Sequence, residues 1–482
     1  MWIPKHIRDR RKGIDTPIPT QAISNEEFYP LPQTPEQHKV EHLINEMADK
    51  KAKRLGVSRR QFLRTSAGMA TAFVAMNQVF GNFFEVAEAE TWEQAAYDER
   101  WPKNQFIMDV QTHHVKDGMK LGGTTGFRAF EFLKDLGVQL KDDTDAYSFK
   151  TFVKEIFLDS DTVMCVISGV PGHEEYGVLP TSLMAKSRDR INEMSGTTRA
   201  LSQSNVAPNH YASQQQLFDR MEFEAKTFKH SSWKLYPHTT PRGSTGQPWW
   251  LDDEKVAYPY FEKAKQLGIK LISVHKGFPS TGQHHDYAHP RDVKKAALDH
   301  PDMTFVIYHS AFKADVPPGA KMNVPIAENG AFEWTWDFVQ DRKKNPRMTN
   351  VYAEIGSSFG LSASMQPVLA AHFIGQLLDA FGSDHMIWGT DSLWWGSPQW
   401  QIEAFRRFQI PEDMQKKFGY RAITDKDKEK IFGLNAARIY KVDVAAKRKA
   451  IPKDYMTHVK TAYNQNGAER SNHFYGWVAN TR

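Results

Sequence analysis

Phe106-Ile107-Met108-Asp109-Val110-Gln111-Thr112-His113 is an apolar run that stops at a metal-binding residue type, and the chain repeats the pattern three more times. The repeats are Leu271-Ile272-Ser273-Val274-His275, Phe305-Val306-Ile307-Tyr308-His309 and Met386-Ile387-Trp388-Gly389-Thr390-Asp391. Short apolar runs of this kind read as buried strands. In a parallel α/β barrel the carboxyl ends of the strands meet at one face, and that face carries the active site. Residues distant in sequence can therefore converge there. His and Asp are ligands suited to a Zn2+-type ion. Gln111 and His113, two apart on a strand, point to the same side, and His114 points to the other.

Eight strand candidates can be found, over 106–111, 162–168, 199–206, 231–236, 270–275, 304–309, 350–355 and 385–390. Helical patterns lie between most of them. The stretch 214–229 repeats Leu217, Met221, Ala225 and Phe228 at helical spacing, and 254–267, 332–342, 367–381 and 425–440 also read as helices. Eight strands alternating with helices predict an α/β fold, a (β/α)8 TIM barrel with inserted loops. A doubly wound open sheet is disfavoured, because no Gly-x-Gly-x-x-Gly follows a strand and no phosphate loop occurs. Two insertions, 114–160 and 171–192, fall after the first two strands and are expected to help form the substrate pocket. The second contains Gly-His-Glu-Glu-Tyr-Gly (172–177) but lacks the second His a zincin requires.

The 482 residues allow one large barrel with appendages. The formal net charge is +5, and residues 1–89 carry 13 basic and 10 acidic side chains, so the remainder is near neutral. A nucleic-acid surface is not indicated. The single cysteine, Cys165, excludes an internal disulfide and reads as a small buried hydrophobe. Four regions follow: a polar N-terminal arm (1–57), a signal-like segment (58–89), the barrel (90–445) and a C-terminal tail (446–482). The arm is Pro-rich near 17–35, with a helix pattern over 36–54, and is otherwise expected to be disordered. Ser58-Arg59-Arg60-Gln61-Phe62-Leu63-Arg64 fits the twin-arginine export pattern. A moderately apolar stretch, 67–84, and a small-x-small Ala87-Glu88-Ala89 follow it. The expectation is export to the periplasm by the twin-arginine machinery, with cutting after Ala89. In the tail, Phe474, Tyr475 and Trp477 are costly to expose and are expected to pack on the barrel or on a neighbouring subunit of a homo-oligomer.

The ordered set of strand-end residues resembles the amidohydrolase superfamily, and above all its amidohydrolase-related branch. That branch holds aminocarboxymuconate-semialdehyde decarboxylase-like enzymes and lactone hydrolases. Its first-strand Asp-x-His-x-His is similar to Asp109-Val110-Gln111-Thr112-His113, its fifth-strand His to His275, its sixth-strand His to His309 and its eighth-strand Asp to Asp391. Its C-terminal signature resembles Glu429-Lys430-Ile431-Phe432-Gly433-Leu434-Asn435-Ala436-Ala437-Arg438, and the resemblance spans roughly 104–442. Gln111 departs from it, standing where most members have His and where decarboxylases often have Glu.

The resemblance implies one divalent ion, Zn2+ or alternatively Mn2+, held by His113, His275 and Asp391, with Gln111 as a ligand or a hydrogen bonder beside it. Asp391 also serves as proton acceptor, and His309 contacts substrate or the attacking water. Lys234 ends the fourth strand as a pocket cation for a substrate carboxylate or as a salt-bridged structural lysine, with Glu354 as a candidate partner. Trp394 and Trp395, with Trp400 further on, suit an aromatic substrate wall. His284, His285 and His289 read as loop residues. An ion with an open position can bring a bound water's pKa toward ~7. The expected activity is metal-dependent hydrolysis of an amide, lactone or related ester of small size. The alternatives are non-oxidative decarboxylation of an aromatic or unsaturated acid, and a non-catalytic exported binding protein.

Overall fold

The computed structural model describes residues 2–25, 27–28, 30–116, 144–170, 174, 177–240, 246–279, 284–314 and 324–479. The chain begins with a short strand, β1 (Trp2–Pro4), which runs antiparallel to the last one, β10 (Trp477–Ala479). Between them lie eight parallel strands in sequence order: β2 (Met108–Thr112), β3 (Met164–Ile167), β4 (Ala200–Ser204), β5 (Ser232–Leu235), β6 (Leu271–His275), β7 (Thr304–Tyr308), β8 (Val351–Glu354) and β9 (Met386–Ile387). Each pairs with the next, and helices flank them, which is a (β/α)8 TIM barrel.

The ring is drawn together where β9 returns to β2. Val110 N–H donates to Trp388 O at 3.2 Å, Asp391 N–H to Gln111 O at 2.9 Å and His113 N–H to Ser392 O at 2.6 Å. Asp109 reinforces the seam, since its carboxylate accepts from the backbone of Gln111 (3.0 Å) and Thr390 (3.1 Å) and from the Thr390 hydroxyl. This contact puts the end of β2 beside the end of β9, and so Gln111 and His113 beside Asp391.

The helix at Pro367–Phe381 coincides with the predicted one, and Gln214–Phe228 stops one residue short of its prediction. The stretch read as a single helix over 425–440 is interrupted by a π turn at Lys430–Leu434. Much of the 114–160 insertion, and most of 172–177, lies outside the described residues.

The N-terminal region departs from expectation. Its described residues are folded rather than disordered: α1 (Lys5–Lys12), α2 (Pro35–Leu55), α3 (Arg59–Leu63) and α4 (Ser66–Phe80). Thr34 and Ser58 close capping boxes at the starts of α2 and α3, which satisfies helix-end donors. Val40, Ile44 and Ala48 make a stripe at i, i+4, i+8 on α2 that is buried with Phe62, Leu63, Phe73 and Met76 in the same core as the barrel. α4 packs on α2, and Phe84 bridges to Phe408 of the barrel. The apolar stretch over 67–84 therefore serves here as a buried helix and its exit turn. Arg59 and Arg60 lie on the surface, 3.0 Å from Asp49 and 3.2 Å from Asp15 respectively. Among the described residues no helix is long and apolar enough to cross a membrane. The tail packs on the barrel, with Phe474 and Trp477 buried and Asp454 gripped by Arg199 at 2.7 Å.

One buried ion pair fixes the exit of β6. Lys276, next to His275, sits 2.6 Å from Asp292, and neither side chain is exposed. Removing one partner of such a pair leaves an uncompensated buried charge, worth about 3–5 kcal/mol. Asp292→Ala is therefore expected to lower stability by that amount in urea melts. A loss under 1 kcal/mol would mean the Lys276 ammonium finds another acceptor.

Candidate active site

The strand ends converge as the sequence implies. Gln111, His113, Lys234, His275, His309, Glu354 and Asp391 are each at most 2% exposed, so none can rely on bulk water for its charge. His309, Ser357 and Asp391 adopt left-handed backbone conformations (φ 68°, 56° and 60°), uncommon for residues other than glycine. The chain turns sharply off β7, β8 and β9 there, which aims these side chains inward.

The three histidines share one device. His113 Nδ1 lies 2.7 Å from Ser168 O, His309 Nδ1 2.9 Å from Gly356 O and His275 Nε2 3.3 Å from Phe278 O. A carbonyl only accepts, so each of these ring nitrogens carries the hydrogen, and in His275 and His309 the other nitrogen presents a lone pair. Those second nitrogens turn toward one space. His113 Nε2 faces Asp391 Oδ1 at 2.9 Å, and His309 Nε2 faces the Gln111 amide at 3.3 Å. His275 Nδ1 has no hydrogen-bond partner and faces the Glu27 carboxylate at 3.5 Å. Anchoring one nitrogen on a carbonyl and offering the other is how metal-ligating histidines are oriented.

Asp391 is the hub. It accepts from Gln111 Nε2 (3.0 Å), Ser357 Oγ (2.6 Å) and Asn25 Nδ2 (3.1 Å). Burial alone would raise its carboxyl, but His113 beside it, with these donors, holds it below the usual carboxylate range. Gln111 keeps its Oε1 buried without a partner. Burial pushes His275 well below the ordinary imidazole range, and His309 down to about 4, so both rings are neutral at pH 7.

Lys234 does not pair with Glu354. The Glu354 carboxylate instead accepts from the backbone of His309 (2.9 Å) and Gly356 (2.6 Å), and so positions His309. Lys234 Nζ has no hydrogen-bond partner and lies over the Tyr308 ring (3.6 Å) and the Tyr236 ring (4.5 Å). Burial lowers its pKa to about 7. Trp394 stacks on His113 with centroids 5.5 Å apart. Trp395 donates its indole N–H to Ser357 Oγ at 3.1 Å, one hydrogen bond from Asp391, and its ring stacks on Phe28. Trp400 packs against Phe474. Of the loop histidines, His289 pairs with Asp337 at 3.2 Å.

Sequence reasoning missed two groups here. His238, three residues past β5, is buried with both ring nitrogens unpartnered, its ring 4.7 Å from that of His275. Its signal was its closeness to the end of the fourth barrel strand. The other group is Asn25 and Glu27 of the N-terminal arm. Glu27, His275 and His309 each bring a ligand atom within 4.8 Å of the others. Burial raises the Glu27 carboxyl, and the Asp391 charge raises it further.

Residues 214–442 match the amidohydrolase family model. The amidohydrolase match takes in Lys234, His275, His309 and Asp391, while Gln111 and His113 precede it. Among solved structures, the chain is similar to 4-oxalomesaconate hydratase from Rhodopseudomonas palustris (17% identity, 71% of this chain and 98% of that one, TM-score 0.42). It is also similar to 5-carboxyvanillate decarboxylase from Sphingomonas paucimobilis (12%, 70% and 100%, TM-score 0.46). A third is an amidohydrolase from Burkholderia multivorans with bound zinc (13%, 70% and 100%, TM-score 0.41). None of the curated proteins matches the chain significantly.

Proposed function

We propose that this protein is a metal-dependent hydrolase of a small lactone, amide or ester that carries a carboxylate. The observation that carries the reading is the set of three imidazoles, each anchored on a backbone carbonyl and turned toward one space beside Asp391. The orphaned His275 Nδ1 and Gln111 Oε1 fit a cation among them. His113, His275 and Asp391 would hold it, with Gln111 alongside. A Zn2+- or Mn2+-type ion supplies Lewis acidity, acidifying water and polarising a carbonyl. Asp391 accepts the proton of the attacking water. His309 starts neutral, so its Nε2 must gain that proton before it can pass it to the leaving group. Glu354 keeps His309 in place, and Trp394 offers an aromatic face beside His113.

Lys234 supports the carboxylate. A buried ammonium without an acceptor is costly, and a substrate anion would supply one. With its pKa near 7, Lys234 is mostly neutral at pH 8, and binding an anion raises that pKa. Carboxylate binding at pH 8 should therefore take up close to one proton, measured calorimetrically in buffers of different ionisation enthalpy. Binding without proton uptake would remove Lys234 from this role.

The burial of these groups also suits decarboxylation, which discharges an anion in a water-poor site. Turnover of carboxylate-bearing lactones and aromatic acids in 18O-labelled water separates the two. Label in the product carboxylate is expected. Release of CO2 with solvent hydrogen on carbon would favour the decarboxylase. Export by the twin-arginine route is proposed with this activity, resting on Arg59 and Arg60 being accessible at the surface. Changing both to Lys should hold the protein in the cytoplasm, and unchanged delivery would dismiss the idea.

A further inference from the structure

We infer that Glu27, from the N-terminal arm, is itself a ligand of the metal centre, so that the barrel's site is completed by a segment outside the barrel. This rests on the metal-dependent reading above.

The arm is built to deliver this side chain. Ser24 is held by two backbone hydrogen bonds with Trp477, at 2.8 and 2.9 Å. Asn25 Nδ2 donates both to Asp391 Oδ2 (3.1 Å) and to Glu27 Oε2 (2.9 Å), and its Oδ1 accepts from Glu27 N–H (3.2 Å). Phe28 then lies against Phe278 and Trp395, with ring centroids 5.9 and 6.4 Å away. Anchors on both sides therefore fix Glu27, whose carboxylate is buried.

What it meets there is unfavourable without a cation. His275 gives its Nε2 hydrogen to the Phe278 carbonyl, so Nδ1 presents a lone pair to Glu27 Oε1 at 3.5 Å. No hydrogen bond joins them, and His275 Nδ1 is left without a partner. His309 brings its own donor atom within 4.8 Å of both. The His275 nitrogen and the Glu27 oxygen suit a divalent ion of the Zn2+ or Mn2+ class, with the His309 ring beside it left for proton transfer. Glu27 would also supply the anionic ligand that Gln111, a neutral amide, does not.

The test is metal affinity and ligand-field spectrum, read without turnover. Full-length wild type, Glu27→Gln and His275→Ala are stripped and titrated with Zn2+ against a chelating indicator, and Co2+ is used for visible spectra. Glu27→Gln keeps the shape and removes the charge. It is expected to raise the Zn2+ Kd at least ten-fold and to alter the Co2+ bands. Wild-type affinity and spectrum in Glu27→Gln, with metal lost in His275→Ala, would overturn the inference and leave the barrel site standing. A wild type that binds no metal would overturn both. Should Glu27→Gln not fold, Glu27→Asp decides. Its carboxylate is withdrawn by one methylene, so weakened binding supports the ligand role and unchanged binding ends it.

Discussion

Deleting residues 1–89 is expected to leave a barrel that neither stays soluble nor keeps its metal. Ile18, Ile23, Phe28, Leu31, Val40, Ile44, Phe62, Leu63, Phe73 and Met76 are all buried in the core that the barrel shares. Burying one such side chain contributes roughly 1.5–3 kcal/mol. Some of that is helix-on-helix contact within the arm, since α2 packs on α4. Even half of it is on the order of 10 kcal/mol, as large as the whole stability of an ordinary domain. The deletion also removes Asn25, Glu27 and Phe28 and bares Arg407, whose guanidinium is fully buried and packs over Phe73. A cut after Ala89 would have the same consequences unless the arm stayed bound. Soluble yield, melting temperature and metal content of the truncated chain check the first claim. Intact mass of the protein from its native host checks the second, and is expected to include the arm. A truncated barrel that melts with the full chain and holds one ion would refute the first, and a mass lacking residues 1–89 the second.

The same arm shows where sequence stops being readable. The barrel was legible because its signals are local: an apolar run of five to eight residues, then a His or Asp, then a helix. His275, His309 and Asp391 stood out because each ends such a run, and parallel topology does the rest. Glu27 has no such local mark. It sits among prolines and charges, a composition shared by disordered tails, and its partners lie about 250 positions away. The apolar stretch before Phe84 was ambiguous for a related reason. A weakly apolar helix after an arginine pair has the composition of an export signal and equally that of a helix buried on a barrel. Only packing separates them. Charge is the other place: Lys234 and Glu354 are both buried at strand ends of the barrel, on β5 and β8, yet Glu354 is taken by two backbone amides. A carboxylate's preference for nearby N–H groups cannot be read from residue types.

Asp391→Asn should abolish function more completely than any other conservative change in the site. The Asp391 carboxylate receives donors from Gln111, Ser357 and Asn25, and His113 Nε2 lies 2.9 Å from its Oδ1. An amide has one oxygen to accept with, and its NH2 must face at least one of those donors. Each buried donor left unpaired costs ~1–3 kcal/mol, so the melting temperature should fall. The greater loss is chemical. The substitution removes the charge that would balance a cation beside His113, and also the group proposed to accept the water proton. Proton transfer by a positioned side chain contributes about 10²–10⁴-fold, and loss of an anionic ligand adds to it. The Zn2+ Kd is expected to rise by more than ~100-fold and kcat/KM to fall by at least ~10³. Glu354→Gln provides the contrast, because that residue positions His309 by accepting from the backbone of His309 and Gly356. It should keep its metal while kcat falls. If Asp391→Asn retains a full complement of metal and activity within ten-fold of wild type, proton acceptance must lie elsewhere, and His309 Nε2 is the next group in reach.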